Sequence, residues 1–300
     1  MVKVSVILPI YNVAPYLDET FTALINQSLR EIEIIAVNDG SVDDSENIIK
    51  KFALQDSRIT YFSQENQGQS AARNLALKHA KGEYVYFMDS DDVIDTNALQ
   101  LCYDYAEKTK ADFIFFDGDT IQEKGANGIS WNYSRSYMFE EDTRYEGEAL
   151  LNQMLDTSKH NCVVWLLFIR HDFLKRISLQ FFPGIIHEDE LYTTQLTLQS
   201  KSIYCLKQTL VWHRIRQAST MGKHYSKRNI NCYLTVIDEL LKWQDSPITR
   251  KFARYTLSKV FYTGHLIPMR EKSSVYWRAL KSGYLKYIGL KSSAVFWLKK

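Results

Sequence analysis

A short acidic cluster, Asp89-Ser90-Asp91-Asp92, directly follows the apolar run Tyr84-Val85-Tyr86-Phe87-Met88. An apolar, aromatic run of this length predicts a buried strand. Three carboxylates at the end of such a strand repel one another unless a positive group lies between them. Because hard divalent cations take oxygen ligands, the cluster indicates a metal site that holds an anionic diphosphate. The alternative is a solvated turn whose aspartates cap the next helix.

The elements that must position this cluster alternate between strands and helices. The apolar patterns predict strands at residues 4–8, 33–37, 59–62, 84–88 and 112–116, and helices at 15–27, 43–54, 69–79 and 97–108. Strands separated by helices of about ten residues predict an α/β fold with a mostly parallel, doubly wound sheet. In such a sheet, ligands bind beyond the carboxyl ends of the strands.

Polar residues that directly follow four of the predicted strands fall at this carboxyl edge of the sheet. They are Pro9, Tyr11 and Asn12 after the first strand, Asn38-Asp39-Gly40-Ser41 after the second, Gly68 and Arg73 after the third, and the acidic cluster after the fourth. The pattern Ser41-x-x-Asp44 also predicts a cap for the second helix. Convergence from four strands predicts a single ligand site.

The second half of the chain is less regular. Residues 117–132 are polar and contain glycine, which predicts a connection. Residues 145–156 and 191–198 have helical spacing, 202–206 predict a strand, and the chain from about 226 onward is largely helical.

Composition narrows the class of protein. The 300 residues suit one large domain or a domain with an appendage, and 45% of them are apolar, as in a globular protein. Four scattered cysteines without metal spacing indicate cytosolic thiols. The N-terminus reads as a strand rather than a signal peptide, and no stretch is long enough to span a bilayer. A cytoplasmic protein is predicted.

Five motifs together resemble those of the family 2 glycosyltransferases of bacterial polysaccharide synthesis, which have the GT-A (nucleotide-diphospho-sugar transferase) fold. They occupy residues 4–12, 35–41, 68–74, 82–92 and 188–189. The resemblance is strong over 1–118, fair over 160–221 and absent beyond 226. It implies inverting transfer of a sugar from a nucleotide sugar to an acceptor hydroxyl, in cell-surface or exopolysaccharide synthesis.

The resemblance implies a nucleotide site made of Pro9, Tyr11, Asp39, Arg73, Asp89 and Arg216. Tyr11 would stack on the base. Asp39 would accept a hydrogen bond from a uracil N–H, which favours a UDP-sugar; its alternative role is to cap the next helix. Arg73 would be a fixed cation near the base or phosphates, or else part of a surface salt bridge. Arg216, or Arg214 beside it, would reach the diphosphate.

The metal and the base follow from the same resemblance. Asp91 would ligate Mn²⁺ or Mg²⁺, and Asp89 would contact the metal or the ribose. Asp92 would hold the loop or position the acceptor. Asp189 is the predicted general base, with Glu188 second, although an acidic first helical turn explains both. His213 is either a further metal ligand or structural.

Two departures from the family pattern concern Asn38 and residues 164–168. Asn38 stands where many members have an aspartate. The segment 164–168 keeps Trp165 but lacks the Asn-Lys that often follows it in the family, in a region that usually lines the acceptor side. The predicted acceptor is a saccharide or a lipid-linked saccharide, and the resemblance does not choose between them.

The chain is predicted to divide into a catalytic domain, 1–225, and a helical extension, 226–300. The nucleotide-binding half would be 1–118 and the acceptor half 119–225. Residues 270–300 carry a net charge of +7 against −5 for the remainder. This basic, aromatic tail predicts either contact with the inner face of the plasma membrane or a helical cap or homodimer contact. No nucleic-acid partner is predicted.

Two other functions compete with sugar transfer. A nucleotidyltransferase would carry a Gly-rich, basic loop after the first strand, where this chain has Pro9-Ile10-Tyr11-Asn12. A non-catalytic nucleotide-sugar-binding module would not need both the Asp-x-Asp and the Glu-Asp motif.

Overall fold

The computed structural model describes residues 1–123, 132–215 and 225–299. Within these ranges the strands are β1 (Val4–Ile10), β2 (Ile32–Asp39), β3 (Ile59–Gln64), β4 (Tyr84–Phe87), β5 (Val93–Ile94), β6 (Phe113–Gln122), β7 (Leu167–Arg170) and β8 (Ile203–Ile215). They form one sheet in the order β3-β2-β1-β4-β7-β6-β8-β5.

The helices in the same ranges cover both faces of the sheet and then continue beyond it. They are α1 (Ala14–Ile25), α2 (Ser45–Gln55), α3 (Gln69–His79), α4 (Ala98–Thr109), α5 (Gly147–Asp156), α6 (His171–Ile177), α7 (Glu188–Gln199), α8 (Lys227–Trp243), α9 (Pro247–Thr263), α10 (Met269–Lys281) and α11 (Leu290–Leu298).

Strands β1 to β4 pair in parallel, and helices α1 to α3 connect them in turn. Strand β7 enters antiparallel between β4 and β6, and β6 then pairs in parallel with β8. The prediction of an α/β fold with a mostly parallel, doubly wound sheet is therefore confirmed. The carboxyl ends of β1, β2, β3 and β4 meet at one edge.

The sequence of β1 explains why helices cover both sides. Val4, Val6 and Leu8 belong to the core on the side of α1, α2 and α4, whereas Ile7 packs on the other side with Ala72 of α3. A strand buried on both faces needs a nearly continuous apolar run rather than alternation.

The predicted connection at 117–132 is wrong for its first six residues, because β6 continues to Gln122. The much longer β8, predicted only at 202–206, pairs with it from Asp117↔Thr209 to Gln122↔Ile215. A register shift near Asp117 interrupts the alternation that would have revealed the strand. Pairing between distant segments here outweighs local polarity.

The predicted cap of the second helix is also wrong. Helix α2 begins at Ser45 after Asp44, and neither Ser41 nor Asp44 makes a side-chain capping bond to it. The Ser41 hydroxyl instead accepts a hydrogen bond from the backbone N–H of Asn12. The loop after β2 is thus tied to the loop after β1 rather than to its own helix.

The C-terminal helices α8 to α11 form a helical unit, as predicted. Their apolar side chains share one core with Leu151 and Leu155 of α5 and Leu191 of α7. The unit therefore packs against the helices that flank the sheet. None of the helices in the described ranges is both long and apolar enough to cross a membrane.

Candidate active site

The loops after β1 and β2 hold each other at the carboxyl edge of the sheet. Asn12 takes a left-handed backbone conformation, with φ of 51°, and its side-chain oxygen accepts a 2.8 Å hydrogen bond from Val42 N. Short polar side chains such as asparagine tolerate that conformation. This turn leaves the Tyr11 ring 49% exposed above the edge while Pro9 stays buried.

Asp39, at the end of β2, organises the loop that follows β3. Its carboxylate accepts hydrogen bonds from Gln64 Nε2 at 2.7 Å, Gln67 N at 2.9 Å and Gly68 N at 2.8 Å. Gly68 has φ of 88°, which favours glycine at this point. Since a carboxylate has about four acceptor positions, these three donors leave room for one more.

The acidic loop after β4 is fixed from two sides. Thr20 of α1 donates its hydroxyl hydrogen to the carbonyl oxygens of Ser90 and Asp92, both at 3.1 Å. Arg214 of β8 donates from Nε to the Asp91 carbonyl at 2.9 Å and pairs with Glu19 through Nη2. These contacts give the loop one defined conformation.

Arg73 joins the two acidic motifs. Its guanidinium is 1% exposed and lies 3.0 Å from Asp89 Oδ1, 2.9 Å from Glu188 Oε1 and 2.9 Å from Asp189 Oδ1. One buried cation thus holds three carboxylates that are 16 to 116 residues away in sequence. The geometry brings the predicted metal loop and the predicted base to one place.

The environment of Asp189 alters its proton affinity. Burial raises the pKa of this carboxyl, and the charges of Glu188 and Asp89 raise it further, while Arg73 and the hydrogen bond from Val164 N act in the opposite direction. The pKa of Asp189 is therefore raised, which suits a general base working near neutral pH.

A buried acid–imidazole pair adjoins the acidic loop. His213 Nδ1 lies 3.0 Å from Asp92 Oδ1, which also accepts the backbone N–H of Arg214 at 2.9 Å. The imidazole stacks on Trp165, with ring centroids 5.4 Å apart. Burial would lower the pKa of His213, but the hydrogen bond and charge of Asp92 outweigh burial and raise it.

Three potential metal ligands lie together in the described part of the chain. Ligand atoms of Asp89, Asp92 and His213 are all within 4.8 Å of one another. Carboxylate oxygens and an imidazole nitrogen form a donor set that suits Mn²⁺. Asp91, predicted as the principal ligand, is 93% buried in the same loop but is not part of this group.

His187 links the C-terminal unit to the Glu-Asp motif. It immediately precedes Glu188 and has a left-handed backbone conformation, with φ of 66°. Its ring stacks on Tyr233 of α8 at 4.2 Å, and its Nε2 lies 3.1 Å from Asn229 Nδ2. Two residues of α8 therefore contact the residue that precedes α7.

If Asp189 is the base, as predicted, we expect His187→Ala to lower turnover about tenfold without changing donor KM, because a small displacement of a base lowers the rate rather than substrate binding. Steady-state release of nucleoside diphosphate measures both constants. The control Tyr233→Phe keeps the ring stack and should behave as wild type. Wild-type turnover in the alanine variant would show that α7 does not depend on this contact.

The family model described as glycosyl transferase family 2 matches residues 5–177, more than half of the chain. The chain belongs to glycosyl transferase family 2. The resemblance inferred from the five motifs is thereby confirmed, and with it the expectation of a glycosyltransferase.

Relatives within the family differ in length. The uncharacterized glycosyltransferase EpsJ of Bacillus subtilis is 41% identical over 220 residues, covering 70% of this chain and 60% of EpsJ. Glycosyltransferase GlyA of Streptococcus pneumoniae is 29% identical and covers 84% of this chain but only 36% of GlyA. Glycosyltransferase GlyG of the same organism is 28% identical, covering 78% of this chain and 82% of GlyG. The chain thus spans well under two thirds of GlyA and slightly under two thirds of EpsJ.

Solved structures share the fold. S. aureus TarS (residues 1–349) in complex with UDP-GlcNAc superimposes with a TM-score of 0.73 at 22% identity, covering 98% of this chain and 83% of TarS. The mannosyltransferase PcManGT from Pyrobaculum calidifontis, in complex with GDP-Man and Mn²⁺, gives 0.61 at 16% identity, covering 98% of this chain and 78% of that one. The likeness to TarS confirms the predicted GT-A fold.

The structure agrees with the sequence prediction on where the site lies but adds contacts that the sequence did not predict. The predicted residues of the four strand ends and of the Glu-Asp motif do lie at the carboxyl edge. Arg216 lies outside the described residues, so its predicted role stays a prediction. The partners of Arg73, the Asp92–His213 pair and the His187 contacts were not predicted, since no local pattern links residues that lie 16 to 121 positions apart. The positive φ of His187 gave no sequence signal.

Proposed function

We propose that this family 2 protein is an inverting, metal-dependent glycosyltransferase that moves a sugar from a UDP-sugar to an acceptor hydroxyl in cell-surface or exopolysaccharide synthesis. The observation that carries the proposal is Arg73, which ties Asp89 of the Asp-x-Asp loop to Asp189. In this reaction the diphosphate leaves and the acceptor hydroxyl attacks at adjacent positions. Arg73 holds together the Asp-x-Asp loop, which suits the diphosphate, and Asp189, which suits the hydroxyl.

The exposed Tyr11 ring and the buried Asp39 carboxylate support uridine as the base. An aromatic face binds a planar base, and the remaining acceptor position of Asp39 suits the N–H of uracil. Gln64 and Gln67 hold that carboxylate in one orientation. TarS, which shares the fold, was solved in complex with UDP and with UDP-GlcNAc.

Asp189 is proposed to take the proton of the acceptor hydroxyl. The acceptor oxygen forms a bond to the anomeric carbon while the bond from that carbon to the diphosphate breaks. The electron pair leaves with the nucleoside diphosphate, and the acceptor proton passes to a carboxylate oxygen of Asp189. Arg73 orients this carboxylate, and Glu188 on the same nitrogen of Arg73 helps to fix the guanidinium.

We propose Asp89 and Asp91 as carboxylate ligands of Mn²⁺ or Mg²⁺, with His213 as a third ligand. Asp89, Asp92 and His213 together form a donor set that fits such an ion. Asp92, however, is buried and already bonded to His213 and to the backbone N–H of Arg214. A carboxylate that orients a metal-binding histidine is a common arrangement, so Asp92 suits the role of positioning His213. When bound, the metal would neutralise charge on the leaving diphosphate.

We expect Asp91→Ala to abolish the Mn²⁺-dependent part of UDP binding. We expect His213→Gln to weaken it by at least about tenfold, because loss of a residue that only supports a metal ligand already costs about 10–100-fold. Calorimetric titration of UDP with and without Mn²⁺ measures this. Asp18→Asn serves as the control, because this exposed acid of α1 pairs with Lys51. Unchanged Mn²⁺-dependent affinity in Asp91→Ala would remove Asp91 from the metal site.

The experiment that tests the proposed reaction is a survey of nucleotide sugars with an oligosaccharide acceptor mixture. We expect release of UDP from one UDP-sugar with Mn²⁺, and a product whose anomeric configuration is opposite to that of the donor by NMR. A product with retained configuration would contradict the assignment of Asp189 as base.

Residues 1–225 are proposed as the catalytic domain, with nucleotide-binding and acceptor halves at 1–118 and 119–225, and residues 226–300 as its extension. Helices α10 and α11 expose Trp277, Leu290 and Leu298 among basic residues, which supports contact with an anionic membrane at its cytoplasmic face. We expect co-sedimentation with phosphatidylglycerol vesicles that falls with salt. Binding to neutral vesicles alone would contradict this, and a concentration-dependent dimer would favour the homodimer contact.

A further inference from the structure

Trp165 lies at the centre of a cluster of three rings beside the acidic loop. Its indole is 2% exposed and stacks on the His213 imidazole, with ring centroids 5.4 Å apart and planes within 13° of each other. Tyr133 packs edge-on against both rings, with centroids 4.7 Å from Trp165 and 5.7 Å from His213. Because His213 is bonded to Asp92, the cluster adjoins the proposed metal site.

Two contacts together fix the orientation of the His213 ring. Asp92 lies 3.0 Å from Nδ1, which fixes one point of the ring but leaves the ring free to turn about that hydrogen bond. The flat face of the Trp165 indole then fixes the plane of the imidazole. With Nδ1 engaged by Asp92, Nε2 is the nitrogen left to bind a metal ion. The direction of Nε2 therefore depends on Trp165 as well as on Asp92.

Gly118 of β6 leaves the space that the indole occupies. A Cβ at this position would lie 2.6 Å from Cζ3 and 3.0 Å from Cη2 of Trp165. Non-bonded carbon atoms prefer a separation of about 3.5–4.0 Å. Any larger residue at 118 would therefore push the indole or the strand away from its present position.

Strand β6 also supports the segment that carries Tyr133. The Asp117 carboxylate accepts hydrogen bonds from the backbone N–H groups of Arg135 and Ser136 and from the Ser136 hydroxyl. Two consecutive residues of β6, Asp117 and Gly118, thus contribute to the placement of the ring cluster.

The turn that carries Trp165 also contacts the proposed base. This short turn, Val164–Leu166, precedes β7. Val164 N donates to Asp189 Oδ2 at 3.4 Å, and the Trp165 carbonyl accepts a 3.1 Å hydrogen bond from the Tyr86 hydroxyl of β4. Neighbouring residues of one turn therefore contact the proposed metal ligand His213 and the proposed base.

We propose that Trp165 is a positioning residue, which holds the His213 imidazole in the orientation that binds the metal ion and fixes this ligand relative to Asp189. The inference rests on the proposed function and deepens it. Residues that orient a metal ligand contribute about 10–100-fold to metal affinity or activity. An indole that only filled the core would contribute to stability alone.

Electron paramagnetic resonance of Mn²⁺ with the full chain and UDP measures metal affinity without turnover, because the signal of free Mn²⁺ falls as the ion binds. We expect Trp165→Leu and Gly118→Ala to weaken Mn²⁺ binding by at least about tenfold. Trp165→Phe keeps an aromatic face and should stay within about threefold of wild type. Phe261→Leu is the control for lost packing and should bind Mn²⁺ as wild type, because that buried ring lies in the core of the C-terminal unit.

The outcomes separate this inference from the proposed function. Absence of UDP-dependent Mn²⁺ binding in the wild type would contradict the proposed function itself. Wild-type Mn²⁺ affinity in folded Trp165→Leu would overturn only the positioning role.

A crystal structure of the wild-type protein with UDP and Mn²⁺ gives a test that needs no variant to fold. We expect His213 Nε2 on the metal ion and the imidazole still stacked on Trp165. An imidazole that leaves the indole in order to reach the ion would overturn the inference.

Discussion

Arg73→Met is expected to reduce the free energy of unfolding by about 3 kcal/mol at pH 8, the lower end of the cost of breaking a buried ion pair. The variant leaves Asp89, Glu188 and Asp189 close together without their cation. We expect a cost at the lower end of this range because the side chains of Asp89 and Asp189 are each about one fifth exposed. Urea denaturation at pH 8 and pH 5 measures the effect.

The destabilisation should shrink as the pH falls. Without Arg73, burial and the charges of Glu188 and Asp89 raise the folded-state pKa of Asp189 above its unfolded value with no cation to oppose them. The penalty is therefore complete at high pH and is relieved as Asp189 binds a proton. Arg176→Met is the matched control, because that exposed arginine pairs with a single carboxylate in the described ranges, Asp112 at 3.3 Å. It should change stability by less than about 1 kcal/mol. Equal losses in the two variants would contradict the bridging role of Arg73.

Asp189→Asn is expected to lower turnover about 10³-fold while UDP binds within a few-fold of wild type, because general base catalysis contributes about 10²–10⁴-fold. Asparagine keeps the shape and can still accept from Val164 N, but it cannot take up the acceptor proton. Steady-state release of UDP and calorimetric UDP binding separate the two effects.

The wild-type enzyme should also lose activity on acidification at a pH well above the value of about 3.9 for a free aspartate, because burial raises the pKa of Asp189. Glu188→Gln is the matched control and should lose less turnover than Asp189→Asn, since Glu188 serves to hold Arg73. A larger loss in Glu188→Gln would transfer the role of base to Glu188.

The sequence was sufficient for the first half of the fold because the signals there are local. Apolar runs such as Tyr84–Phe87 and the helical spacing of Gln69–His79 lie within single elements, and the structure gives α3 its predicted bounds. The doubly wound order then follows from the alternation of strands and helices. Because parallel strands end at one edge, the convergence of Tyr11, Asp39 and Asp89 could also be predicted.

The remaining features of the fold and of the site depend on contacts between segments that are distant in sequence. Strand β6 continues through polar residues because β8 pairs with it, and no signal in 117–122 reveals that partner. The sequence predicts Arg73 as a cation near the nucleotide, whereas in the structure it pairs with three carboxylates from two motifs.

The most direct test of the proposed function is thermal unfolding of the wild-type chain with UDP, GDP or dTDP, each with and without Mn²⁺. A ligand that binds the native state raises its stability by mass action, so saturating UDP with Mn²⁺ should raise Tm by about 5 °C. We expect little change with UDP alone or with the other nucleotides. Absence of any shift with all three nucleotides in the presence of Mn²⁺ would contradict a nucleotide-sugar site at this edge of the sheet.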